Sequence, residues 1–162
     1  MKIAKTELLF QKSPPIDKLH INDAIDLVLN EQIGAIETIK RNKTKLLKIV
    51  MCLAEHLKKN SSGRLIYSGA GTSGRIAVQD GVELYPTFGW PKQRVEFFIA
   101  GGKKALYKAI ENAEDDTKIP KLQAKKIALN CNDIVLGLAA SGNTPYTVEV
   151  LKHARSLDCI TV

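Results

Sequence analysis

Two glycine-rich turns contain the residues whose types and spacing are best suited to bind phosphate. The first, Leu65–Arg75 (LIYSGAGTSGR), follows a short apolar run and carries Thr72 and Ser73. The second, Ala139–Pro145 (AASGNTP), has similar chemistry and also precedes a helical pattern. Where a strand passes through such a turn into a helix, free backbone N–H groups and the helix dipole attract anions. The two turns together predict a phosphorylated ligand held between two strand ends.

Two glutamates near these turns are candidates for acid–base chemistry. Glu83 lies in VELYPTFG, just before Pro86 should end the helix that the first turn begins, and Glu114 lies in ENAEDD. Two carboxylates of different pKa suit proton abstraction coupled to protonation of a leaving group, although a single acidic residue is more often a solvated surface charge. Ten residues separate Ser73 from Glu83, which is roughly 15 Å along one continuous helix. Either the chain turns back near Val82, or Glu83 serves a site completed by another protomer.

The first turn also satisfies the GxGxxG pattern of dinucleotide-binding domains, through Gly69, Gly71 and Gly74. Such domains need an acidic residue at the end of the second strand to hold the ribose. The second predicted strand ends instead in Ala100 and Gly101. The hydroxyl groups of the turn also suit a compact phosphate better than a pyrophosphate, so the pattern favours a small phosphorylated ligand over a nicotinamide cofactor.

The N-terminal third of the chain is expected to be helical. Residues 1–16 are predicted to form an arm, and residues 17–62 a helical segment that begins at Asn22, a suitable N-cap. An apolar stripe from Leu46 to Leu57 predicts a second helix, which ends at Asn60. Because this stripe exceeds what an incomplete sheet can cover, these helices are expected to form a homodimer interface.

Beyond the helical segment, apolar strand patterns alternate with helical patterns. This alternation predicts an α/β fold, a parallel sheet with helices on both faces and the ligand at the carboxyl ends of the strands. A helix through Ala105, Ala109 and Ile110 is expected after the second strand, and Asp115–Thr117 resembles a helix start. The predicted strands are residues 65–68, 95–100, 134–139 and 159–162, and the other predicted helices begin near residue 74 and at residue 145.

Composition narrows the class of protein. With 44% hydrophobic and 25% charged residues the chain is globular in character, and no apolar run approaches the roughly 20 residues of a membrane span. The net charge of +7 comes from scattered lysines without interleaved aromatic residues, so a nucleic-acid partner is not favoured. Cys52, Cys131 and Cys159 have no metal-ligand spacing and suit buried, reduced thiols, so we expect a cytoplasmic protein without a bound metal.

Five motifs occur together in an order that resembles a known family. They are GRLIYSGAGTSGR, DGVELYPTFG, IAGGKKAL, ENAEDD and DIVLGLAASGNTPY, spread from about Gly63 to Val162. In order and spacing they closely resemble the N-acetylmuramic acid 6-phosphate etherases, members of the sugar isomerase (SIS) domain superfamily. The resemblance implies a SIS-type three-layer sandwich, incomplete in residues 63–162 because members of the family are nearly twice as long.

The resemblance also implies an activity and its residues. The expected protein is a cofactor-free lyase that binds a phosphosugar and releases D-lactate from its C3 ether, leaving N-acetylglucosamine 6-phosphate. Its two catalytic glutamates match Glu83 and Glu114, with the assignment of acid and base open. Its phosphate-binding turns match two sets of residues, Gly71, Thr72 and Ser73 in the first turn and Ser141, Gly142 and Thr144 in the second.

The chain departs from the family pattern at several positions. Leu9 and Phe10 stand where the family usually has arginine and asparagine, and Asn143 stands where the second turn usually has arginine. After the first glutamate, Leu84 and Tyr85 replace a typical cysteine and proline. Two other functions therefore stay open, a non-catalytic sugar-phosphate-binding or regulatory SIS module and an aldose–ketose isomerase that uses related enediolate chemistry.

Overall fold

The structure, a computed structural model, describes residues 14–162. The chain forms two compact units, Met1–Ala54 and Glu55–Val162. Most of the predicted N-terminal arm, including Leu9 and Phe10, lies outside the described residues. Within the described part, no helix combines the length and the apolar character needed to cross a membrane.

Two long helices precede the sheet, α1 (Ile21–Arg41) and α2 (Lys43–Lys59). The predicted N-cap at Asn22 is wrong, because α1 begins one residue before it and takes Asn22 into its first turn. The predicted end of α2 is confirmed at Asn60, whose backbone N–H and side-chain amide both donate to the carbonyl of His56, at 3.0 and 2.9 Å. Neither helix contains a buried residue.

The predicted parallel sheet is confirmed, with four strands in the order β2-β1-β3-β4. The central strand β1 pairs with β2 and β3 so that Gly69 lies beside both Ile99 and Leu138. These three strands therefore end at the same level, and the turns that follow them share one edge of the sheet. The strands are β1 (Leu65–Gly69), β2 (Val95–Ile99), β3 (Ile134–Leu138) and β4 (Ile160–Thr161).

Helices cover both faces of the sheet, as predicted. Consecutive residues of a strand point to opposite faces, and Ile66 belongs to a buried cluster with Tyr146 and Val150. Tyr67 points the other way, where a Cβ placed at Gly81 would meet its ring at 3.2 Å. The first face carries α4 and α5, and the second carries α3. These helices are α3 (Gly71–Phe88), α4 (Ile119–Lys126) and α5 (Pro145–Arg155).

The connection between β2 and α4 differs in part from the prediction. The expected helix is a 3-10 helix, Gly102–Leu106, which contains Ala105 but ends before Ala109 and Ile110. The chain enters this segment through two consecutive residues with positive φ, Gly101 at 78° and Gly102 at 65°, which a regular helix does not accommodate. The predicted helix start is confirmed, because Asp116 Oδ1 accepts hydrogen bonds from the backbone N–H groups of Lys118 and Ile119 at 2.9 and 3.1 Å.

Candidate functional site

The first glycine-rich turn presents the N-terminus of α3 at the carboxyl edge of the sheet. The first helical hydrogen bond runs from the N–H of Gly74 to the carbonyl of Ala70 at 3.1 Å, so the preceding N–H groups of the turn have no partner within the helix. A Cβ at Gly74 would lie 2.9 Å from the carbonyl oxygen of Gly69. Glycine at both positions lets the helix pack closely on β1, and the resulting site attracts an anion.

A cavity of about 270 Å³ lies next to this helix N-terminus. Gly71 and Thr72 line one side, and Glu114, from the 3-10 helix Ala113–Asp115, lines the other. The structure thus brings together three residues predicted from sequence, two from the first glycine-rich turn and one candidate acid or base. Thr72 and Glu114 are both exposed, so the cavity is open to solvent.

Arg75 connects the two walls of this cavity. It lies in the first turn of α3, and its guanidinium donates to the carbonyls of Ala105 at 3.0 Å and Lys108 at 3.3 Å. These carbonyls belong to the segment that leads to Glu114. Because an arginine side chain presents several donors in a fixed plane, Arg75 holds this segment against the helix that begins in the first glycine-rich turn.

The second glycine-rich turn lies at the same edge of the sheet but does not line this cavity. Gly142 has φ 69°, and the Ser141 hydroxyl accepts from the N–H of Asn143 at 3.1 Å. Thr144 is the residue before α5, which begins at Pro145 as predicted. Ser73 in the first turn is likewise absent from the lining. Of the predicted phosphate-binding residues, only Gly71 and Thr72 therefore contact the cavity.

The structure places Glu83 on α3, outside the cavity. The helix continues past Val82 and Pro86 to Phe88, so the predicted break at Pro86 is wrong. Of the two alternatives left open for Glu83, a reversal of the chain near Val82 does not occur. Pro86 removes one helical hydrogen bond, but only two helical residues follow it before Gly89 ends the helix at φ 67°. Glu83 is exposed and lies roughly 18 Å along the helix axis from Gly71.

Several lining residues were not predicted from the sequence. Lys108, Glu111 and Asn112 face the cavity, and Asn112 has the left-handed φ of 58°. Asparagine is among the few residues that tolerate this conformation, so its place between acidic residues in ENAEDD was an available signal. Arg75 was part of the recognised motif, but its partners are about thirty residues away in the chain.

No metal site emerges from the geometry. Within residues 14–162, the structure contains no group of three or more histidine, cysteine, aspartate or glutamate side chains placed to hold a metal ion.

Elsewhere in the sheet, burial and a hydrogen bond to Asp80 raise the pKa of Tyr67 to about 12. That hydroxyl lies on the α3 face and does not line the cavity.

Together, the parallel sheet and the helix N-terminus at its carboxyl edge define an α/β domain with a cavity beside a helix N-terminus, a position suited to an anion. Residues 48–155 match the family model of the glucokinase regulatory protein N-terminal SIS domain. The match covers more than half of the chain, and the chain belongs to this family of SIS domains.

The predicted resemblance to N-acetylmuramic acid 6-phosphate etherases is also confirmed. The chain is 39% identical over 158 residues to the etherase of Mycoplasma mycoides subsp. mycoides SC, covering 98% of this chain and 52% of that protein. It is 42% identical over 156 residues to the etherase of Listeria welshimeri, covering 96% of this chain and 52% of that protein. For Lactobacillus gasseri the identity is 45% over 139 residues, with coverage of 80% and 47%.

The chain spans about half the length of the curated relatives it matches. Among solved structures, it is similar to the phosphoheptose isomerase GmhA of Neisseria gonorrhoeae at 18% identity and a TM-score of 0.45. That alignment covers 82% of this chain and 72% of the isomerase. A similarity at this level does not bear on function.

Proposed function

We propose that the chain carries an etherase-type site that binds N-acetylmuramic acid 6-phosphate and cleaves its lactyl ether. The observation that supports this most directly is the cavity that joins the N-terminus of α3 to Glu114. The same two motifs are part of the resemblance to proteins named as etherases at 38% to 45% identity. A helix N-terminus suits the phosphate, and a carboxylate at the opposite wall suits proton transfer.

In the proposed reaction, the N–H groups at the start of α3 hold the 6-phosphate. One glutamate removes the C2 proton, which the neighbouring open-chain aldehyde makes acidic. The C3–O bond breaks, and the lactyl oxygen takes a proton as D-lactate departs. Water then adds to the C2–C3 double bond, so that one water is consumed and N-acetylglucosamine 6-phosphate is formed. Glu114 lines the cavity and is positioned to act on the bound sugar, and either proton role is open to it.

Glu83 requires a different arrangement, because it lies outside the cavity of its own chain. We infer that a homodimer supplies Glu83 to the cavity of the other protomer. The unit that contains α1 exposes an apolar stripe suited to such an interface. Members of the stripe on α1 are between 53% and 55% exposed, namely Ile25, Leu29, Ile33 and Ile36. Light scattering at micromolar concentration should give twice the mass of one chain, and a single-chain mass would contradict the dimer.

The activity is tested by D-lactate release from N-acetylmuramic acid 6-phosphate. Wild-type chain should release lactate, and Glu83→Gln and Glu114→Gln should each abolish release while leaving the fold intact. Lactate release that persists in both variants would contradict the proposal. Mixing the two inactive variants tests the shared site, because half of the dimers are then mixed and each has one intact site. About a quarter of wild-type activity should return if the subunits exchange, whereas no recovery in exchanged dimers argues for a site within one chain.

A non-catalytic phosphosugar-binding or regulatory module is the second candidate. Two observations favour this candidate. The matching family model is named after a regulatory protein, and Glu83 lies outside the cavity. This candidate predicts that the folded chain binds a sugar phosphate but releases no lactate. Calorimetric binding of N-acetylglucosamine 6-phosphate, measured beside the lactate assay, therefore separates the two functions.

A further inference from the structure

Two cations from different elements line the cavity, and they differ in how they are engaged. Arg75 uses its guanidinium to donate to two backbone carbonyls, at 3.0 and 3.3 Å. Lys108 forms no ion pair with any carboxylate in the part of the chain that the structure describes. Of the two lining cations, Lys108 is therefore the one whose charged group remains available to a ligand.

The backbone of Lys108 is held at both of its polar groups. Its N–H donates to the carbonyl of Lys104 at 3.1 Å, and its carbonyl accepts from Arg75 at 3.3 Å. The base of the side chain is thus fixed at the cavity wall, while the exposed stem leaves the ammonium group free to reach a bound molecule.

The charges around the cavity indicate what kind of group this ammonium binds. The start of α3 provides backbone N–H groups for a compact anion such as phosphate. The opposite wall carries Glu111 and Glu114, which repel any second anion unless a cation lies beside it. Lys108 is on the same wall as these glutamates and supplies that positive charge.

We propose that Lys108 binds the carboxylate of the substrate's lactyl group and so distinguishes the ether from the product sugar. This inference rests on the proposed function, in which the substrate carries both a phosphate and a carboxylate. Once lactate departs, the remaining N-acetylglucosamine 6-phosphate has no group for Lys108. The residue therefore contributes to the affinity for the substrate and not to the affinity for the product.

The test measures two dissociation constants by calorimetry in a Glu114→Gln background, which prevents turnover. One ligand is N-acetylmuramic acid 6-phosphate, which has the carboxylate, and the other is N-acetylglucosamine 6-phosphate, which lacks it. Adding Lys108→Met should weaken binding of the first about tenfold, as expected for loss of one charge-assisted hydrogen bond. Binding of the second should stay within about twofold.

Lys103→Met is the matched control, because Lys103 is exposed on the same segment but does not line the cavity. It removes the same charge and should leave both dissociation constants unchanged. Equal weakening of both ligands by Lys108→Met would assign Lys108 to the phosphate and overturn the proposal, as would no change in either. Failure of the parent protein to bind either sugar phosphate would instead refute the proposed function, and the role of Lys108 with it.

Discussion

Asp133 joins the starts of β1 and β3, and its replacement by asparagine should strongly destabilise the sheet. The side chain is fully buried, and its two oxygens accept four hydrogen bonds, three from Arg64 and one from the N–H of Asn130, at 2.6 to 3.1 Å. Burial opposes the charge of Arg64, but the hydrogen bond to Asp133 outweighs it and raises the pKa of the guanidinium. Asp133→Asn keeps the shape and removes the charge.

The expected loss follows from the burial of this pair. Removing one partner of a buried ion pair costs about 3 to 5 kcal/mol, because the other charge is left uncompensated. Arg64 keeps its hydrogen bond to the carbonyl of Ile127 at 2.8 Å, and its side chain is 17% exposed. These features place the loss near the lower limit, at about 3 kcal/mol. With a slope of about 2 kcal/mol per molar urea, the unfolding midpoint should fall by about 1.5 M.

Urea unfolding can be followed by the fluorescence of Trp90, the single tryptophan of the chain, which belongs to the same unit as the sheet. Asp158→Asn is the matched control, because Asp158 is exposed and has φ 58°, a conformation that asparagine also tolerates. The control should leave the midpoint unchanged. A shift of less than about 0.5 M for Asp133→Asn would show that the ion pair does not stabilise the fold as reasoned.

Three further predictions concern the described unit that contains the sheet. Ser68 and Thr147 have buried hydroxyls without a hydrogen-bond partner. Ser68→Ala and Thr147→Val should therefore each stabilise the folded protein by about 1 kcal/mol and raise its melting temperature by about 2 to 4 °C. An unchanged or lower melting temperature would contradict this. Arg75→Met should speed amide hydrogen exchange across residues 109–114 by about tenfold, because the hydrogen bonds to the carbonyls of Ala105 and Lys108 are lost. Uniform acceleration throughout the unit would instead indicate general destabilisation. Of the three cysteines predicted to be buried, only Cys159 is buried, and the prediction is wrong for Cys52 and Cys131, which are exposed. Burial raises the pKa of Cys159 to about 11, so this thiol should react with an alkylating reagent at pH 8 only after unfolding, while the exposed Cys131 reacts in the native state. Rapid native alkylation of both would refute the assignment.

Local sequence patterns were sufficient to predict most of the elements. The apolar runs located β1, β2 and β3 to within one residue at their ends, because a buried strand needs consecutive apolar side chains. Pro145 marked the start of α5, since its missing N–H has no cost in the first turn of a helix. Asp116 marked the start of α4, because its side chain accepts hydrogen bonds from the backbone N–H groups of Lys118 and Ile119, two and three residues further on.

The sequence by itself therefore determined the parallel α/β fold and the glycine-rich turn at the start of α3, because strand and helix periodicity and glycine placement act over a few residues. Only the tertiary structure decided which candidates share a site. Glu114 lines the same cavity as the turn, in a segment that Arg75 binds through carbonyls some thirty residues away. Glu83 lies outside that cavity because α3 runs without interruption from Gly71 past Val82. Such contacts depend on how distant segments pack, and residue spacing does not encode them.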